Sequence, residues 1–209
     1  MTIPRRHLIA LPAALALPFL HVAPASAAPV IGAPAPGFTG TDSHGAAISL
    51  AQFAGKPVVL EWTNDGCPYV RKWYGAGAMQ ALQRQAAAMG AVWLSIISSP
   101  PGEQGHADGA LANQLTASRN AAPSHVLLDP EGRIGRLYGA SVTPHMLIID
   151  AAGKLAYAGG ADSIPSTRPE DLARATPHVR DALAAMAAGQ PIANPITRPY
   201  GCVVKYRGA

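Results

Sequence analysis

The sequence predicts an α/β fold with a mixed central sheet, and three observations carry that reading. Short apolar runs rich in Val, Ile and Leu alternate with segments of helical period. Such alternation needs a crossover between successive strands, which makes them parallel. The last two runs, Thr143 to Asp150 and Lys154 to Ala158, are separated only by Asp150-Ala151-Ala152-Gly153, a hairpin turn that adds an antiparallel edge.

Residues 28–47 are rich in Pro, Gly, Ala and Thr and read as an extended lead-in, with Asp42-Ser43-His44-Gly45 as a turn. Ser49 to Phe53, before Gly55, suits a short helical turn. Pro57 to Trp62 (PVVLEW) is a strand buried on both faces. Pro68 fits the first position of the helix that follows, where its missing N–H costs nothing. That helix carries Val70, Trp73 and Tyr74, is weakened at Gly75 and Gly77, and resumes its apolar face at Met79, Leu82 and Met89. Ala91 to Ile97 is the next buried strand, residues 98–106 are loop, and Leu111 and Leu115 mark a helix to about Arg119. His125 to Asp129 is a strand ending in the turn Asp129-Pro130-Glu131-Gly132. Ile134 to Tyr138 gives one or two helical turns. After the hairpin, Thr176 is expected to cap a helix with Pro177 in its first turn, Val179, Leu183 and Met186 inward, and Gly189 past its end. Residues 190–209 have no helical period and read as an extended arm.

Residues 1–27 have the form of an export signal: two arginines, an apolar run from Leu8 to Leu20, and Ala25-Ser26-Ala27 as a cleavage site. The order Arg5-Arg6-His7-Leu8-Ile9 resembles a twin-arginine signal, with a Sec signal carrying two arginines as the alternative. The expectation is therefore a soluble periplasmic protein with one domain over 28–189 and the arm over 190–209. Removing the leader takes Lys plus Arg from 16 to 14 against 12 Asp plus Glu, so the net charge falls from +4 to +2. No Lys/Arg stripe remains, which argues against a nucleic-acid partner. A body of this length buries enough surface to fold without a disulfide, so Cys67 and Cys202 are free to do chemistry.

Cys67 follows a buried strand and stands directly before Pro68, at the start of a helix. A thiolate there faces unpaired N–H groups and the positive end of the helix dipole, both of which favour the anion. Arg71, one turn on, adds to this if it curls back and is otherwise a solvated helix charge. A buried, inert cysteine is the bland alternative for Cys67.

Several segments together resemble the redoxin, or peroxiredoxin-like (alkyl hydroperoxide reductase/thiol-specific antioxidant), group of thioredoxin-fold proteins: Ala33 to Phe38 (APAPGF), Phe53 to Leu60 (FAGKPVVL), Gly66 to Val70 (GCPYV), Thr143-Pro144 and the hairpin strands. The resemblance spans about residues 32–188. It implies a thioredoxin-like three-layer α/β/α sandwich with a mixed central sheet, a catalytic Cys67 supported by Trp62, Thr63, Asn64 and Pro68, and a cis Thr143-Pro144 bond beside that cysteine. The sequence departs from both standard chemistries of the group. Val70 stands where thioredoxins have their second cysteine. Asn64 and Pro144 stand where peroxiredoxins have a Thr or Ser and an Arg.

Cys202 is the remaining candidate partner. It lies thirteen positions past Gly189, and at about 3.3 Å each these reach roughly 40 Å, enough to cross the domain. A Cys67–Cys202 bridge is thus permitted, either as the resolving step of a catalytic cycle or as a permanent staple.

The reading that results is an exported thiol-dependent oxidoreductase or antioxidant protein. Its Cys67 thiolate attacks a peroxide or a protein or small-molecule disulfide, and Cys202 or an external thiol reductant resolves the product. No cofactor, metal, nucleic acid or membrane partner is expected. The alternative is a binding or copper-carrier protein of the same fold: as a binding protein it has the Cys67–Cys202 bridge as a staple, and as a carrier it has Cys67, His145 and Met146 as copper ligands.

Overall fold

The structure is a computed structural model that describes residues 29–208; the export signal expected over residues 1–27 lies outside the described residues. The strands are β1 (Thr39–Asp42), β2 (Ala47–Ser49), β3 (Val58–Trp62), β4 (Val92–Ile97), β5 (His125–Leu128), β6 (Val142–Thr143), β7 (His145–Ile149), β8 (Leu155–Gly159) and β9 (Cys202–Val203). The helices are α1 (Pro68–Gly75), α2 (Ala78–Ala88), α3 (Gly109–Ser118), α4 (Arg133–Leu137) and α5 (His178–Ala187).

Seven strands form one mixed sheet in the order β2-β1-β5-β4-β3-β7-β8, and β6 pairs with β9 in a separate ribbon. At its centre β3, β4 and β5 are parallel, while β7 runs antiparallel to β3 and β8 to β7. The pleat sends alternate residues of β3 to opposite sides. Val59 joins Trp93, Met146, Ile148 and Tyr157 against α1, α2 and α5. Val58, Leu60 and Trp62 join Leu94, Ile96, Leu147 and Ile149 against α4 and the lead-in. The three layers are those of the thioredoxin-like sandwich. Among the described residues no helix is long and apolar enough to cross a membrane.

Four local features differ from the sequence reading. The lead-in contains the β1–β2 hairpin, which adds to β5. Its strand TGTD has no apolar alternation, and it is the buried Asp42 carboxylate, accepting from the His44 and Ala46 N–H groups, that holds the expected turn. The helix after Cys67 is two helices rather than one weakened helix, because Gly77 sits at φ +71°, where the chain leaves α1 and starts α2. Thr176 does not cap α5. Pro177 occupies the cap position, and the Thr176 backbone instead exchanges hydrogen bonds with Ser163. Finally, a short 3-10 turn spans Pro169–Ala173, between β8 and α5, where the sequence reading has no element.

The arm lies along the body. Residues 195–197 hydrogen-bond to Ala158 and cover the open edge of β8. The chain then crosses to β6, where Thr143 faces Cys202 and Val142 faces Val203. Beyond it, the Tyr206 hydroxyl donates to the Ala140 carbonyl, 2.7 Å away.

Candidate functional site

Cys67 is the cap residue of α1, with extended backbone, and Pro68 is the first helical residue, as its fixed φ requires. The loop before it is shaped by Asn64, whose side chain accepts from the Gly66 N–H (2.8 Å) and donates to the Gln104 carbonyl (3.3 Å). The Asn64 carbonyl accepts the Cys67 N–H. Thr63 is buried, and its hydroxyl has no partner among the described residues.

The Cys67 side chain is 0% exposed, and its thiol donates to the Thr143 carbonyl at 3.0 Å. The Thr143-Pro144 bond is cis, as the resemblance implied. Gly201 makes the close approach of the arm possible: at φ +150°, a Cβ there would fall 1.9 Å from the Thr143 carbonyl oxygen. The next residue, Cys202, packs against the cluster that contains Cys67. Both thiols are free.

The two cysteines are electrostatically unlike. Burial pushes the Cys67 thiol up, but the Cys202 thiol, the Thr143 hydroxyl and the N–H groups of Val70 and Cys202 outweigh it and hold Cys67 below its ordinary value. The thiol makes no formal cap bond to α1, so the Val70 N–H acts as an oriented dipole at the helix start. Cys202 is pushed up to about 12 by its burial and by its place as donor to a Cys67 anion. The pair thus has one preferred thiolate, Cys67, with Cys202 remaining a thiol beside it.

Two residues proposed from sequence stand apart from this sulfur. Trp62 belongs to the core on the other side of the sheet, since the pleat of β3 turns it away; its indole donates to Ser98 at 3.2 Å. Arg71 does curl back, but onto Asp65, 2.7 Å from its carbonyl, and its side chain is exposed. His145 follows the cis bond, yet burial lowers it to about 4 and its Nδ1 accepts the Ser141 N–H. Among the described residues no group of three His, Cys, Asp or Glu side chains could hold a metal ion.

Sequence reasoning missed two polar clusters. Lys72 in α1 is buried and bonds through Nζ to Asp162 (2.9 Å), Tyr200 (3.0 Å) and the Ile164 carbonyl (3.1 Å). Tyr200 donates to Asp162 in turn. This cluster ties α1 to the arm two residues before Cys202. Glu61, inside the apolar run of β3, is fully buried and accepts from Tyr74 (2.9 Å), Trp93 (2.8 Å) and Ser95 (2.8 Å). A lone acid in an otherwise apolar strand was the available signal for it.

Comparison with known proteins agrees with this geometry. An uncharacterized conserved protein from Geobacillus kaustophilus superposes with a TM-score of 0.75 at 22% identity, over 86% of this chain and 94% of that one. A hypothetical protein from Sinorhizobium meliloti 1021 gives 0.73 at 20%, over 88% and 98%. A putative thiol:disulfide interchange protein DsbE from Chlorobium tepidum gives 0.51 at 24%, over 63% and 85%. At these identities the likeness is one of fold. No curated protein matches the chain. The AhpC/TSA family model, however, matches residues 31–158, from the lead-in through the cis-proline strand to β8. A helix-start cysteine against a cis-proline loop lies within that matched span, and the chain belongs to the AhpC/TSA family, on the thioredoxin fold.

Proposed function

We propose that this protein is an exported thiol oxidoreductase that works by disulfide exchange, with Cys67 as nucleophile and Cys202 as resolving thiol. The observation that carries the reading is the β6–β9 pairing, which sets Cys202 opposite Thr143 while Thr143 contacts the Cys67 sulfur. The Cys67 thiolate attacks one sulfur of a substrate disulfide and expels the other as thiolate. Cys202 then gives up its proton and attacks the Cys67 sulfur of the mixed disulfide, releasing the second substrate thiolate and leaving a Cys67–Cys202 bond.

Disulfide is favoured over peroxide by what surrounds the sulfur. Where the peroxiredoxin pattern has a hydroxyl and an arginine, this chain has Asn64 and Pro144, and the Asn64 amide is engaged with Gly66 and Gln104. The test gives the reduced protein either an aromatic disulfide or hydrogen peroxide, then counts and maps its thiols by mass. The expected result is joint loss of both thiols with the disulfide, at a higher rate than with peroxide, and no reaction in Cys67→Ser. A Cys67→Ser protein that exchanges at the normal rate would refute it.

A second reading is supported by the arm's anchors on either side of Cys202: the bridge as a permanent staple. It predicts that the isolated protein has no free thiol and resists mild reductant.

A further inference from the structure

The bridge proposed above must be reduced again, and the cavity beside the arm bears on how. It measures about 480 Å³, within the range of small-molecule sites, and its wall includes Val142, Ser163, His178, Arg198, Tyr200 and Gly201. Val142 and Gly201 are the chain neighbours of Thr143 and Cys202, so the cavity lies one residue away from the rung that carries the second sulfur. Its one acid, Asp162, is neutralised by Lys72 at 2.9 Å. Arg198 is exposed and, among the described residues, pairs with no carboxylate. The uncompensated charge at this cavity is therefore cationic. The edge of β6 is already paired with β9, which closes it to an added strand of another polypeptide while the arm is docked.

We propose that this cavity seats the electron donor, a small thiol bearing a carboxylate, and that the donor attacks Cys202 rather than Cys67. This inference rests on the disulfide-exchange reading. Position points to the sulfur: the cavity wall includes Gly201, the chain neighbour of Cys202, and no chain neighbour of Cys67, and with the arm docked Cys202 is the less buried of the two. The donor thiolate forms a bond to the Cys202 sulfur, the Cys67–Cys202 bond breaks, and the electron pair leaves on Cys67 as thiolate. A second donor molecule then attacks the donor sulfur of the mixed disulfide. Cys202 leaves and takes up a proton, and the two donors depart as their disulfide. Cys67 is also the better leaving group, since its pKa lies below that of Cys202.

The experiment starts with a thiol count on the oxidised full chain, before any donor is added. It then follows reduction by 3-mercaptopropionate (anionic) and 2-mercaptoethanol (neutral), with rates expressed per thiolate. Arg198→Ala should slow the anionic thiol by up to about fivefold, the factor of a surface ion pair, and leave the neutral one unchanged. Arg198→Lys should restore most of the rate. Acid quenching with limiting mercaptopropionate should place the donor on Cys202 by mass mapping. A donor found on Cys67, or an Arg198→Ala effect that is absent or equal for both thiols, overturns this inference alone. A count showing no bridge to reduce overturns the disulfide-exchange reading as well.

Discussion

Replacing Lys72 by methionine should release the arm and cost the protein a large part of its stability. Lys72 and Asp162 are 0% and 1% exposed and stand 2.9 Å apart. The ammonium also reaches the Tyr200 hydroxyl and the Ile164 carbonyl, so all three of its N–H groups are used. Removing it strands the Asp162 carboxylate with only the Tyr200 hydroxyl and the Ile164 N–H as donors. Breaking a buried pair in this way costs about 3–5 kcal/mol, against a total of roughly 5–15 kcal/mol for a typical domain. For a body of this size that lowers the melting temperature by roughly 6–20 °C. Tyr200 is two residues from Cys202, so the loss should also be read as faster alkylation of the Cys202 thiol. A Lys72→Met/Asp162→Leu double variant removes the stranded charge and should regain much of the stability while leaving the arm loose. Thermal unfolding and thiol labelling of the reduced proteins test this. A Lys72→Met protein within about 1 kcal/mol of wild type, with Cys202 labelled no faster, would refute the claim that this pair anchors the arm.

Cys202→Ala removes the Cys202 thiol that helps hold the Cys67 anion, so the Cys67 titration, followed by thiolate ultraviolet absorbance, should move up toward the ordinary 9.0. Cys202→Ser, whose O–H still donates, should shift it less, and identical titrations would exclude the contact. Because the thiolate is the attacking species, exchange by the wild type should quicken as pH rises through the lowered Cys67 value and level off above it. Gly201→Ala drives a methyl group into the Thr143 carbonyl and should cost about 1–3 kcal/mol and slow bridge formation in timed oxidation. His145 titrates near 6.5 unfolded and about 4 folded, so the unfolded chain binds the proton first and stability falls as pH drops through that interval. The loss approaches about 3 kcal/mol below the lower value, and it should disappear in His145→Asn when melting temperatures are compared between neutral and acid pH.

Most of what was local in the chain was legible, the Thr176 cap and the turn at Pro169–Ala173 excepted. The apolar runs around Leu60, Leu94, Leu127 and Leu147 became the central strands, because each carries its own burial pattern. Cys67-Pro68 announced a helix start because the cap and first-turn preferences act on adjacent residues. TGTD was illegible, since β1 is held by its pairing to β2 and β5 rather than by any period of its own. Lys72 was illegible for a stronger reason. A lysine on a helix reads as solvated, and the groups that desolvate and pay for it lie 90 to 128 residues away. For Cys202 the sequence supplied only a reach, and the direction of the arm came from contacts at Ala158, Thr143 and Ala140 that no spacing encodes.

Those contacts change what a catalytic cycle at this site requires. A resolving cysteine 135 positions from its partner (202 minus 67) would ordinarily have to be brought in by ordering a free tail, at about 1–2 kcal/mol per residue of backbone entropy. Here that ordering occurs on folding. It is offset by the Thr197 bonds to β8, by the Lys72–Asp162–Tyr200 cluster and by the Tyr206 hydroxyl, and it is in place while both thiols are free. Closing the bridge then adds to stability chiefly by restricting the unfolded chain, by about 5 kcal/mol for a loop of this length. Resolution in place follows for the proposed cycle: once Cys67 carries the mixed disulfide, Cys202 reacts from the position it already occupies. A Cys202 whose protection from alkylation vanished whenever Cys67 carried a mixed disulfide would contradict that step.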